Sequence, residues 1–271
     1  MTKVFTHIPV LQFSANQLAL AEVCAMELWN GYDYQTGKVC GVSDEDLLVM
    51  FATPTLAIFK NTRTRQTITE LDIRELIRVA KLQALFRSTQ ATDFQGAIAA
   101  YRTTALAVYS GWRKKTIRLA NPYDYATRAT LDWSVKFVNN TSASINGNHR
   151  VPLACRILFF AMPDMMVFNF SNGLAKQMRL QSRPQAAIPY FNKLLSDGLQ
   201  LNKALLSNLE MPKPTVLAED IWQLANKGDW WKRRVLDLAL LLHFGIASAT
   251  PQLQTKGRQL VARWAAKKKK T

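Results

Sequence analysis

The residues best suited to chemistry cluster between Ser144 and Ser171. The stretch opens on Asn146-Gly147-Asn148-His149-Arg150. Asn-Gly-Asn is a tight-turn signal, because these residue types tolerate left-handed backbone. Pro152 then falls where the first turn of a helix accepts proline. The pattern predicts a helix start whose free N–H groups point outward, the arrangement that binds a phosphate. His149 and Arg150 add donors at the same place, and Leu153, Ile157 and Leu158 supply the helix with an apolar face. Beyond the helix start stand Arg156, Asp164 and Asn169, a cation, a carboxylate and an amide. Each also has an ordinary structural reading: Arg156 on a solvated helix face, Asp164 at a turn or helix start, and Asn169 as a helix cap.

Two further clusters interleave aromatic rings with cations: Trp112-Arg113-Lys114-Lys115 and Trp230-Trp231-Lys232-Arg233-Arg234. Rings stack on bases and cations grip phosphates, so Trp112, Lys114, Lys115, Lys232 and Arg233 join Asn146 to Arg150 as candidate nucleic-acid contacts. A Trp pair directly before three cations is not expected to bury both rings and all the charges. Trp29 to Tyr34 and Tyr123 to Tyr125 offer further rings beside polar groups. Lysine and arginine number 35 against 19 acids, a formal charge of +16 over 271 residues. Seven of those charges lie in the basic C-terminal tail, 256–271, which holds no acid, so the excess also covers the body. Such a balance points to a polyanion as the partner. Three cysteines (Cys24, Cys40, Cys155) without CxxC spacing read as reduced thiols. His7, His149 and His243 are too dispersed for a metal triad, and neither a metal nor a cofactor is expected.

The elements that must position these residues are helical. Apolar residues recur at three- and four-residue spacing, as in Leu76, Val79, Leu82 and Leu85. Helices are expected over 14–30, 43–52, 69–88, 93–109, 122–138, 151–162, 171–180, 184–207, 215–226, 229–244 and 251–266, with short extended pieces at 53–60 and 116–119. The fold class is mainly α: one two-lobed domain over 1–271, with 123–180 as one lobe and both chain ends in the other. The start lacks a signal-peptide core, and no apolar run would span a bilayer, so a cytoplasmic location without membrane contact is expected.

Arg156-Ile-Leu-Phe-Phe-Ala161, Met162-Pro-Asp164 and Val167-Phe-Asn169-Phe-Ser171 resemble the helix, proline turn and following helix start of helix-hairpin-helix DNA glycosylases with an 8-oxoguanine-glycosylase-like fold. Arg234 to Gly245 resembles their closing helix; counted with the whole stretch from Ser144 to Ser171, the resemblance covers roughly 40 residues. The resemblance implies a helix-hairpin-helix-like element and flipping of a base into a pocket for excision. It also implies catalytic roles near Arg156, Asn169 and Asp164. Arg156 stands where bifunctional relatives carry a lysine nucleophile, and a guanidinium cannot form a Schiff base, so a monofunctional enzyme leaving an abasic site is expected. Asn169 stands where the family has an aspartate, which leaves Asp164 as the nearest carboxylate. Bacterial proteins of this group include antiviral defence enzymes that remove modified cytosines from phage DNA, so such a base is an implied substrate. The alternative is a noncatalytic duplex-DNA-binding protein on the same fold, its active site lost with those two replacements.

Overall fold

Ser14 starts the first helix, α1 (Ala15–Trp29), through a capping box: its hydroxyl accepts from Gln17 N at 3.2 Å, and the Gln17 side chain accepts from Ser14 N at 2.8 Å. A computed structural model describes residues 9–60, 151–164, 166–180 and 187–268. Among them, nine α-helices and one π-helical segment carry the architecture, with no strand beyond an isolated bridge, Tyr32 to Val39. After α1 a loop closed by Gly37 N donating to Asp33 O (2.6 Å) leads to α2 (Asp44–Lys60). Gly37 has φ +71°, a conformation in which a side chain would be strained.

The middle of the chain supplies α3 (Val151–Ala161), an extended connection, α4 (Asn172–Gln177) and α5 (Ala187–Lys193). The chain then widens into the π-helical segment Leu194–Leu201 before α6 (Lys203–Leu206). Asn202, between them, ties the N-terminal strand of chain down: it donates to Leu11 O at 2.8 Å and accepts from Phe13 N at 2.8 Å. The order closes with α7 (Glu219–Lys227), α8 (Trp230–His243) and α9 (Pro251–Lys268).

Nine of the fourteen residues of α8 are buried, which makes it the central helix. α1 packs on it, α9 packs on α1, and α2 packs on α3. Phe159 lies 5.2 Å from Trp230 between ring centroids, and Trp29 lies 6.2 Å and 6.0 Å from Trp230 and Trp231. The Trp230 indole N–H donates to Phe159 O at 3.0 Å. Close approach is built in at Gly198, where a Cβ would stand 2.6 Å from Leu236 Cδ2. The buried apolar residues of 151–180 and of both chain ends belong to one core cluster.

The helical expectation holds along the described residues, with boundaries displaced by a few positions. Two segments differ: the single helix expected over 184–207 is, over its described residues, α5, the π-helical segment and α6 in succession, and 53–60 continues α2 as helix and is not extended. Thr-Pro-Thr weakens helical propensity locally, but proline removes only one backbone bond, and a helix already packed on α3 carries through it. The 69–88, 93–109 and 122–138 helices and the 116–119 piece lie outside the described residues. No described helix is long and apolar enough to cross a membrane.

Glu22 gives the core a pH dependence. Burial pushes its carboxyl up to about 7, opposed by the Trp231 indole N–H and helped by the charge of Glu210. The folded chain therefore keeps a proton that the unfolded chain releases, and the associated stability is complete below about 4.5 and is lost as pH rises through about 7. Glu22→Gln is expected to be more stable than the wild type at pH 8, by roughly 2 kcal/mol, and close to it at pH 4.5. Urea unfolding at both pH values checks this; an equal difference at the two would contradict it.

Candidate functional site

A cavity of about 600 Å³ opens between the Gly31–Ser43 loop, the start of α2, α3 and α8. Its wall includes Tyr34, Asp44, Arg156, Asn169, Arg234 and Asp237. Each is delivered by a different local rule. Asp44 is the first residue of α2, where a carboxylate is favoured by the helix dipole. Arg156 sits on α3 beside the buried Cys155, and Asn169 lies on the extended connection that follows. Arg234 and Asp237 stand three residues apart on α8, so they share one face.

The side chains pair in two sets. Asn169 Nδ2 donates to Asp237 Oδ2 at 2.7 Å, while the Tyr190 hydroxyl holds Asn169 O at 3.0 Å. Arg234 forks onto Asp44, with Nε to Oδ2 at 2.6 Å and Nη2 to Oδ1 at 3.0 Å. The remaining side-chain oxygens, Asn169 Oδ1 and Asp237 Oδ1, are buried and accept no hydrogen bond from the protein. Two acceptors beside one cavity are suited to a water or to an N–H or O–H of a bound molecule.

Charge in the site is finely balanced. Burial pushes the Asp237 carboxyl up to about 7, against the opposing pull of the Arg234 charge and the Asn169 hydrogen bond. Burial also raises Asp44, again opposed by Arg234. Burial works against the charge on Arg234, yet Asp44 more than offsets it and the guanidinium is held protonated more firmly than usual. Arg156 is lowered by burial and by its neighbour Arg234, but as an arginine it stays charged. The inner wall thus brings together two guanidiniums, the Asp44 carboxylate paired with one of them and the Asp237 carboxyl that exchanges its proton near neutrality, while Asp33 and Lys38 also line the cavity. Cys40 also lines it, with a thiol raised by burial and by Asp33 and Asp44, which disfavours the nucleophilic thiolate.

The structure brings Arg156 and Asn169 together and leaves Asp164 elsewhere. Asp164 does not line the cavity; it belongs to the turn after α3, its Cα packed where Gly228 leaves no room for a Cβ. The carboxyl of the site is Asp237, which sequence reasoning passed over. Its signal was an acid inside Val235-Leu-Asp-Leu-Ala-Leu-Leu-Leu242, an apolar run whose burial forces the acid inward too.

Arg233 is a correction. It is fully buried and spans three carbonyls, Nε to Gly228 O at 3.1 Å, Nη1 to Val167 O at 2.5 Å and Nη2 to Pro163 O at 2.5 Å, so it is not exposed to a DNA phosphate. Trp230 and Trp231 are buried as well, while Lys232 and Arg234 stay part-exposed, so both rings but only one of the three charges go inside, in line with the expectation. Carbonyls freed by the turn between α3 and α4 supply the partners that make this possible. Lys232 pairs with Asp229 at 2.6 Å on the margin of the core. Trp112, Lys114, Lys115 and Asn146, Gly147, Asn148, His149 and Arg150 lie outside the described residues. Among the described residues no group of three His, Cys, Asp or Glu could hold a metal ion.

No family model, curated protein or solved structure matches this chain.

Proposed function

We propose that this chain is a monofunctional DNA glycosylase that hydrolyses the N-glycosidic bond of a modified base, on a two-lobed helical fold with a helix-hairpin-helix-like element. One observation carries the reading: Arg156 and Asn169, two positions singled out by the resemblance, share a cavity with the buried carboxyl of Asp237. The replacement of the family's aspartate by Asn169 is then compensated from the neighbouring helix, since Asp237 stands 2.7 Å from the amide.

In this reading the flipped nucleotide enters the cavity. As the C1′–N bond breaks, its electron pair leaves with the base and the sugar becomes cationic. Ionised Asp237 stabilises that charge. A water oriented between Asn169 Oδ1 and Asp237 Oδ1 adds to C1′ and passes its proton to Asp237, a carboxyl poised near neutral pH for such a transfer. Arg156 contacts the DNA or the pocket. It cannot supply an amine nucleophile, so strand cleavage does not follow.

The test is incubation of the purified protein with duplexes carrying modified bases, modified cytosines of phage DNA first. Released base is read by mass spectrometry and abasic sites by alkali cleavage. Duplex binding should weaken at least roughly 100-fold between 50 and 200 mM salt, as expected for a protein contacting several phosphates. Salt-dependent binding without any released base would favour the noncatalytic DNA-binding protein. Binding indifferent to salt would remove both readings.

A further inference from the structure

We propose that Arg234 is a positioning residue for the proposed reaction: clamped by Asp44, it holds its positive charge one helical turn from Asp237 and so keeps that carboxyl ionisable at neutral pH. The inference rests on the reading of Asp237 as the reacting carboxyl, and it concerns what makes that carboxyl usable.

The geometry assigns the role. Arg234 and Asp237 lie on one face of α8, and both line the cavity. Arg234 spends Nε and Nη2 on the two oxygens of Asp44, a bidentate fork that fixes its plane. No hydrogen bond or ion pair joins Arg234 to Asp237, whose Oδ2 is taken by Asn169 and whose Oδ1 has no partner in the protein. Arg234 therefore acts on Asp237 through its field and does not occupy Oδ1. Without Asp44, the guanidinium would be free to close on Asp237 and occupy that oxygen.

Among the described residues, the charged and titratable groups that interact electrostatically with Asp237 or with Arg234 come from several elements. Arg233 and Arg234 come from its own helix, Cys155 and Arg156 from α3, and Tyr190 from α5; the Asn169 amide follows α3, and Asp44 stands behind Arg234 on α2. Burial of Asp237 opposes its ionisation, and Arg234 is the strongest of the influences favouring it. Removing the cation and removing its counter-ion should therefore act in opposite directions. A purely structural role for the Asp44–Arg234 pair would not produce that pattern.

The experiment is a carboxyl ¹³C NMR titration of the DNA-free full chain, with the Asp237 signal assigned by its loss in Asp237→Asn. Arg234→Met is expected to raise the Asp237 midpoint by about one pH unit, Arg234→Lys to restore it most of the way, and Asp44→Asn to lower it. An unchanged midpoint in folded Arg234→Met, or shifts of the same sign in Arg234→Met and Asp44→Asn, would overturn the proposal. If Arg234→Met does not fold by circular dichroism, Asp44→Asn decides: a fall in midpoint supports the role, and no fall overturns it. The titration needs no substrate, so a failure to find base excision would not mimic either outcome.

Discussion

Asp237→Asn is expected to lower the single-turnover rate of base excision by about 10² to 10⁴ while leaving duplex affinity within about twofold. The amide keeps the shape of the side chain and loses both functions assigned to it, proton acceptor and negative charge beside the sugar. Those interactions strengthen only as the base leaves, so the loss belongs to the rate and not to binding. Asn169→Ala removes one of two groups orienting the water and should cost less, about tenfold. Asp164→Ala should leave the rate unchanged, because Asp164 does not line the cavity. Asn169→Asp restores the residue type of the resembled family, yet it sets a second carboxyl within hydrogen-bonding distance of Asp237. Two carboxylates at that distance share a proton, so this variant should be slower at pH 7 and its acid limb should move to higher pH. Rates across pH 5 to 9 on one released base check the set; a fully active Asp237→Asn would place the chemistry elsewhere.

The largest effect on the fold is expected where the turn after α3 meets the junction of α7 and α8. A Cβ at Gly228 would stand 2.3 Å from Pro163 O and 2.4 Å from Asp164 Cα, both backbone atoms, so Gly228→Ala must push two chain segments apart. Arg233 crosses the same junction with its three carbonyl bonds and lies 5.4 Å from the Phe159 ring centroid. Arg233→Met fills much of that volume but leaves three buried acceptors without a donor. Each substitution is expected to cost about 3 to 5 kcal/mol, measured as the shift in the urea midpoint. Any folded Arg233→Met should bind duplex DNA as the wild type does. A large loss of affinity at unchanged stability would return Arg233 to the DNA surface.

Local signals carried the helices well. Ser14 with Gln17, Pro152 in a first turn, and the three- and four-residue spacing of Leu236, Ala239 and Leu240 are rules a single segment obeys alone, and the observed boundaries follow them. The site was legible only in half. Arg156 and Asn169 lie close in sequence and were found together, whereas Asp44, Arg234 and Asp237 enter the cavity from helices some 190 residues apart, and no local pattern records that Asp44 meets Arg234. Arg233 was misplaced for the same reason. Between Lys232 and Arg234, it looks like one of three surface cations, and only the carbonyls turned toward it from Pro163 and Val167 make the interior acceptable. The π-helical turn at Leu194–Leu201 reflects a contact as well, since Gly198 yields space to Leu236.

The long reach of these contacts has a consequence for how the chain is made. Leu11 and Phe13 are held by Asn202, Asp44 by Arg234, and Glu45 by the backbone N–H groups of Thr215, Val216 and Leu217. During synthesis Leu11, Phe13 and Asp44 must wait for partners about 190 positions later, roughly 10 to 40 s at ordinary translation rates. Until α3, α8 and α9 emerge, α1 and α2 expose the faces meant for them, and such distant pairings close slowly even once the chain is released. Nascent chains stalled before Trp230 should therefore be protease-sensitive and bound by chaperones, and the N-terminal helices should gain protection together, only after α8 has cleared the ribosomal tunnel.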